Sequence, residues 1–419
     1  MTLRRSAAAL AVTAVVGAVA APVASAAPTP SPVAVPSGLY GKGDPTYDGV
    51  FRQSLALLAQ KTVGVTPSAK AVDWLVGQQC ANGGFAAFRA DAGKACDAKT
   101  MVDSNATSAA VQALSALGGQ DAAVKKAVGW LKSVQNKDGG WAYAPGTPSD
   151  ANSTSIVVGA LTAAGEKPGD WKGKDGESPL VALLSFQINC DGKPENQGSF
   201  AFQPDKSGKL FPNADATAAV VTASLGKGLV VDAPKANKAI EGAPGCKQGI
   251  SDPETAASAG SDYLSRLLTK YGQHLRSAMP GAEAQPDFGN TADAVVALAA
   301  DGHKDAAAKS AAWLAKNSAA WAKTTGPAAY AQLIFAAHAT GMDPNSFGGA
   351  DLVAQLNATG PAPEGKPEKS GKAAAADAED AKKDEGGSSA TWWIVGVAFV
   401  ASMGAGFLIS GRNKKNRQL

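Results

Sequence analysis

The sequence predicts an all-α fold, a closed ring of about six helical hairpins, and three observations carry that prediction. Two kinds of segment alternate through about residues 40–358. One kind, as in AVGWLKSVQNKDGGWAY at 127–143, has apolar residues at helical spacing (Ala127, Val128, Leu131, Val134) and ends in a Gln–Gly–aromatic element. The other, as in DANSTSIVVGALTAAG at 150–165, starts on residues that cap helices and is then apolar on nearly every side. The first kind reads as an amphipathic outer helix and the second as an inner helix buried all round.

In chain order, residues 1–26 read as a signal peptide. Arg4 and Arg5 precede an Ala/Val-rich run, and Ala24-Ser25-Ala26 is a small-x-small cleavage site, so the mature chain is expected to begin at Ala27. Residues 27–42 form a Pro-rich spacer. The ring is expected over 43–358. Inner helices are predicted near 47–62, 104–117, 152–164, 214–225, 290–301 and 327–340. Outer helices are predicted near 68–79, 121–135, 177–188, 255–277, 304–316 and 347–356. All inner helices then point one way, which gathers their N-terminal ends on one face.

Beyond the ring, residues 359–390 are a Pro/Gly/Lys/Glu/Ala linker with the composition of a disordered segment. Residues 391–411 are predicted as a transmembrane helix, because Trp392–Ser410 is uncharged and a bilayer core needs roughly 20 helical residues. The basic tail at 412–419, with Arg412, Lys414, Lys415 and Arg417, is expected on the cytoplasmic side. The expected location is therefore the cell membrane, single-pass, with the ring extracytoplasmic. No LPxTG-like sorting motif accompanies the span.

A net charge of +3 over 419 residues offers no basic field, which argues against a nucleic-acid partner. Four cysteines in an exported chain suggest two disulfides, Cys80 with Cys96 around one loop and Cys190 with Cys246 as the remainder, although three connectivities are open.

Gln135-x-x-x-Gly139-x-Trp141, with its near copy Gln79-x-x-x-Gly83-x-Phe85, resembles the QW motif of the terpenoid cyclases. The repeat as a whole resembles the prenyltransferase and squalene-cyclase repeat. That resemblance implies an α/α toroid, a fold shared by cyclases, protein prenyltransferases, thioester proteins and cobalamin carriers, so it does not by itself select a function.

Four chemistries can be weighed. Asn213-Ala-Asp215-Ala-Thr217-Ala218 resembles the DxDDTA motif of class II cyclases, whose middle Asp is a general acid, here Asp215. The first and fourth positions depart from the motif. Asp103-Ser-Asn105-Ala-Thr107 and Asp150-Ala-Asn152-Ser-Thr154 occupy the same slot in neighbouring repeats, so capping is the preferred reading. Zinc-dependent prenyl transfer is disfavoured: the only histidines are His274, His303 and His338, and no metal site is expected. Neither a thioester run nor a GxSxG nucleophile is present.

Ligand binding without chemistry remains. GNTADAVVALAADG and NSTSIVVGALTAAG resemble the inner helices of transcobalamin and intrinsic factor. The resemblance implies a rim of Asp103, Asn105, Thr107, Asp150, Asn152, Thr154, Asp215, Thr217, Asn290 and Thr291 around a ligand. Trp141 and Tyr143, with Phe85, Phe88, Phe200, Phe202 and Phe288, would add apolar contacts. Helix-start amides would make this rim weakly electropositive. The ligand expected is corrinoid-like or isoprenoid, with cobalamin possible and no cofactor certain. The β-rich lid of those carriers has no counterpart here, so a partner chain would have to supply one. Alternatives are a degenerate cyclase or prenyltransferase-like enzyme using Asp215, and an extracytoplasmic protein-binding scaffold.

Overall fold

The structure, a computed structural model of the chain, describes residues 34–188, 192–240, 252–278 and 282–365. The predicted signal peptide, transmembrane segment and basic tail lie outside the described residues, as do most of the linker and both Cys190 and Cys246.

Thirteen α-helices occur among the described residues: α1 (Gly49–Thr62), α2 (Ala69–Gly77), α3 (Ser104–Leu117), α4 (Asp121–Ser133), α5 (Ala151–Ala163), α6 (Pro179–Leu184), α7 (Ala214–Ser224), α8 (Pro253–Lys270), α9 (Phe288–Ala300), α10 (Lys304–Asn317), α11 (Ala319–Thr325), α12 (Pro327–Thr340) and α13 (Leu352–Asn357). The inner helices α1, α3, α5, α7, α9 and α12 each pack on the next, and α12 packs back on α1, which closes the ring. Each inner helix also packs on the outer helix that follows it: α2, α4, α6, α8, α10 and α13.

The inner helices are buried because their sequences leave no polar stripe. In α12, PAAYAQLIFAAHAT, only His338 and Thr340 escape burial. Outer helices keep one: in α4 only Ala123, Ala127, Trp130 and Leu131 are buried, at helical spacing.

The Gln–Gly–aromatic element joins these layers. Gln79 Nε2 donates to Gly83 O at 2.9 Å, and Gln135 Nε2 donates to Gly139 O at 2.8 Å, so each glutamine closes the loop that follows its own helix. Gly83 and Gly139 have φ of 97° and 87°, and a Cβ there would strike backbone at Lys126 and Ser178 respectively. Glycine is required for both reasons. The residue in the aromatic position then pairs with the start of the next inner helix. Two short ribbons do this, β1 (Phe85–Ala86) with β2 (Val102–Asp103) and β3 (Leu275–Arg276) with β4 (Pro286–Asp287). A bridge between Phe200 and Asn213 does the same elsewhere.

Closure of the ring draws on residues beyond the expected boundaries. Leu39 and Tyr40, assigned to the spacer from sequence, are buried. Tyr40 Oη donates to Pro361 O at 2.9 Å, Gly41 N to Thr359 O at 2.9 Å, and Gln60 Nε2 to Asn357 Oδ1 at 2.7 Å. The Cys80–Cys96 disulfide is formed, with Cα atoms 5.6 Å apart.

The expectation of a single-pass membrane protein is corrected. No helix among the described residues is long and apolar enough to cross a membrane. Inner helices have at most 14 residues, against roughly 20 needed. The 18-residue α8 carries Glu254, Asp262, Arg266 and Lys270.

Candidate functional site

Four inner helices begin alike. Asp103, Asp150, Asn213 and Asp287 sit at the N-cap and accept from the backbone N–H of Ala106, Ser153, Ala216 and Asn290 at 2.7, 2.6, 2.8 and 3.0 Å. Four residues later a threonine ties the start to the preceding loop. Thr107, Thr154, Thr217 and Thr291 Oγ1 accept from the backbone N–H of Phe85, Trp141, Phe200 and Leu275 at 2.9–3.0 Å. Three of them also donate to the N-cap carbonyl, and Thr154 donates to Trp141 O. These hydroxyls are saturated by backbone. Asn290 Nδ2 bonds Asp287 Oδ2 at 2.8 Å.

The aromatic positions are likewise structural. Phe85, Trp141 and Phe200 are fully buried between hairpins, and Trp141 Nε1 donates to Leu131 O at 2.8 Å. Phe288 lies in a stack with Trp313 and Trp321. Tyr143 stands beside Asp103, and its carbonyl accepts from Ser104 N. The histidines are apart: His303 bonds Asp301 at 2.9 Å, His338 bonds Asp232 at 2.9 Å, and His274 stacks on Trp313. Among the described residues no group of three or more His, Cys, Asp or Glu is arranged to hold a metal ion.

Two residues after the N-cap of α5 and of α7, the side chain lines the space inside the ring. Asn152 and Asp215 meet there, with Asn152 Nδ2 donating to Asp215 Oδ2 at 2.6 Å. They line a central cavity of about 100 Å³ to which all six inner helices contribute. Asp293, from the second turn of α9, lines it too, and Gln332 Nε2 of α12 donates to both Asp293 oxygens at 3.1 and 3.2 Å. Most of the remaining wall is apolar, including Phe51, Leu55, Ile156, Val296 and Phe335.

The far end of the cavity is floored by the chain leaving α7. Gly228 passes so close to α5 that a Cβ on Gly159 would meet Gly228 Cα at 2.9 Å. Gln112 of α3 holds this strap by accepting from Leu229 N at 2.8 Å. Farther on, Lys238 Nζ pairs with Asp301 at 2.7 Å beyond the end of α9.

The carboxyls titrate unusually. Burial pushes Asp215 up to about 7; the bond from Asn152 opposes this, and the charges of Asp287 and Asp150 add to it. Burial and the charge of Asp215 push Asp293 up to about 8, against the bond from Gln332. Asp103 rises to about 7 and Asp150 to about 6, both through burial against their capping bonds. By surface exposure Asp215 and Asp293 are only half-buried, because the space they face is the cavity. That geometry tempers the upward shift but keeps its direction.

Of the residues the sequence offers as a rim, Asn152 and Asp215 line this cavity; Asp293, Gln332, Gln112, Phe51 and Phe335 line it too and are not among them. The available signal was a lone acid or amide inside an otherwise apolar helix, a combination that is seldom buried without a partner or a purpose.

The match to a family model agrees with this architecture. Residues 46–200 match the family model of the prenyltransferase alpha-alpha toroid domain. Comparison with curated proteins gives no match. Among solved structures, the chain is similar to one described as a protein from Actinoplanes, at 15% identity and a TM-score of 0.40, over 66% of this chain and 74% of that one. The match over residues 46–200 supports the toroid fold of the terpenoid cyclase and prenyltransferase superfamily.

Proposed function

We propose that this toroid binds a small molecule in its central cavity without performing chemistry on it. One observation carries the reading: two carboxyls and two buried amides from four inner helices converge on a cavity whose other walls are largely apolar. Apolar walls with a few convergent polar groups characterise ligand pockets. The volume sets the scale. Sites for drug-sized ligands hold about 300–1,000 Å³, so about 100 Å³ encloses neither a corrin nor an isoprenoid chain. Those two candidates give way to a ligand of only a few heavy atoms.

The test is Ala219→Phe, which places a ring where a small side chain lines the cavity. Ligand-detected NMR with 1-butanol and n-butylamine is expected to show binding to the full-length chain and its loss in the variant. Binding unaffected by the plug, or no binding at all, sinks the reading.

A second reading rests on Asp215 alone, a carboxyl that keeps its proton up to about 7 and faces the cavity, where it is available as a general acid. Turnover of a small alkene or epoxide that disappears in Asp215→Asn would establish it, and its absence leaves the binding reading in place.

A further inference from the structure

The polar end of the cavity is rich in acceptors and poor in donors. Asn152 and Gln332 commit their amide N–H groups to Asp215 and Asp293. This leaves Asn152 Oδ1 and Gln332 Oε1 with no hydrogen-bond partner, although the two residues are only 5% and 4% exposed. Ser155 Oγ, on a residue 5% exposed, also lines the cavity and has no partner. Buried polar atoms are nearly always paired, so three residues of one cavity wall carry polar atoms that the chain leaves unmet.

The chain itself offers no counter-charge. Among the described residues neither Asp215 nor Asp293 forms an ion pair. Lys227, the one basic residue lining the cavity, is exposed on the strap. The charges that reach Asp215 are those of Asp287 and Asp150, and those that reach Asp293 are Asp215 and Asp287, all of one sign.

Resting on the reading of this cavity as a ligand site, we infer that its occupant is a primary alkylamine, with the ammonium between Asp215 and Asp293 and the alkyl chain against Phe51 and Phe335. An ammonium has three donors and no acceptor, which matches a wall whose open polar groups are the Asp215 and Asp293 carboxyls. Its charge offsets the repulsion between the carboxyls. A hard metal ion fits less well, since calcium takes about six to eight oxygen ligands and most of this wall is carbon. An apolar cavity of about 150 Å³ holds benzene, so this half-open space of about 100 Å³ takes the amine end of a short alkyl chain and leaves the chain's far end toward the opening.

Calorimetry and thermal unfolding of the full-length chain at matched ionic strength test this with n-butylamine, 1-butanol and calcium chloride. n-Butylamine is expected to raise the unfolding midpoint saturably and to bind about tenfold or more tighter than 1-butanol, as charge complementarity in a dry site requires. Asp215→Asn and Asp293→Asn are expected to remove that preference while 1-butanol binding persists. Circular dichroism verifies that each variant folds, and the amine–alcohol comparison on the unaltered chain decides if one does not. Equal binding of amine and alcohol overturns the inference but leaves the ligand cavity standing. Protection by calcium without protection by the amine overturns it in favour of a metal ion. Binding of none of the three removes both the inference and the reading beneath it.

Discussion

Asp293 shows what a single buried carboxyl does to this molecule. Its folded-state value, pushed up to about 8, lies above the unfolded value, so the native state binds the proton more tightly. Its contribution to stability is therefore complete below the unfolded value of about 4 and is lost as pH rises through the folded one. Asp215 acts in the same sense up to about 7. Asp293→Asn keeps the shape and removes the titration. Thermal unfolding is expected to give similar midpoints for both proteins near about pH 4.5, and a variant more stable by a few degrees near about pH 8. Parallel curves across that range would show that Asp293 does not titrate in this window. Asp215 was visible in the sequence because it sits in a repeated capping slot. Asp293 was not, because the slot six residues into an inner helix holds Ala109, Ile156 and Ala219 in the other repeats. No local rule says that an acid there faces a cavity.

At the scale of the element, the unit that recurs is a clip between loop and helix. Trp141 N and Thr154 Oγ1 are 3.0 Å apart and both residues are fully buried, so removing the hydroxyl leaves an N–H without water or partner. Thr154→Val is expected to lower stability by about 1–3 kcal/mol, with Thr154→Ser recovering most of it in urea unfolding. Equal loss in both variants would assign the effect to the methyl group. Trp141→Ala empties the same joint and is expected to cost about 3–5 kcal/mol; little loss of stability would contradict its placement between hairpins. Helix starts were legible because an N-cap residue announces itself by type, and α3 was predicted to the residue. The role of the threonines was not, since a hydroxyl at a helix start reads the same whether it meets a loop amide or a ligand. Leu275 fills the place of Trp141 in the fourth clip, so that position of the repeat carries no aromatic residue to mark it. Gly272 and Gln273, with φ of 73° and 74°, end α8 earlier than its apolar pattern suggested. The short α11 went unpredicted, having no apolar stripe of its own beyond Trp321 and Ala322.

At the scale of the whole molecule, closure separates a toroid from a stack of the same hairpins. In an open array each unit touches only its neighbours and can fray from either end. Here α1 rests on α12, and the seam is fastened by Tyr40, which is fully buried and bonded to Pro361 and Gln60. The cavity depends on the same seam, because Phe51 and Leu55 of α1 face Gln332 and Phe335 of α12 across its wall. Opening the seam exposes the inner faces of all six helices at once, so the ring is expected to lose stability as one unit. Tyr40→Ala removes a large buried side chain and two of the fastening bonds, with an expected cost of about 3–5 kcal/mol. Hydrogen exchange should then show protection falling together in α1, α12 and the distant α5 and α7, with a single unfolding transition. If α5 and α7 keep their protection while α1 and α12 lose theirs, the ring behaves as an array whose ends happen to touch. The cavity would then open without global unfolding, giving a ligand a way in at the seam.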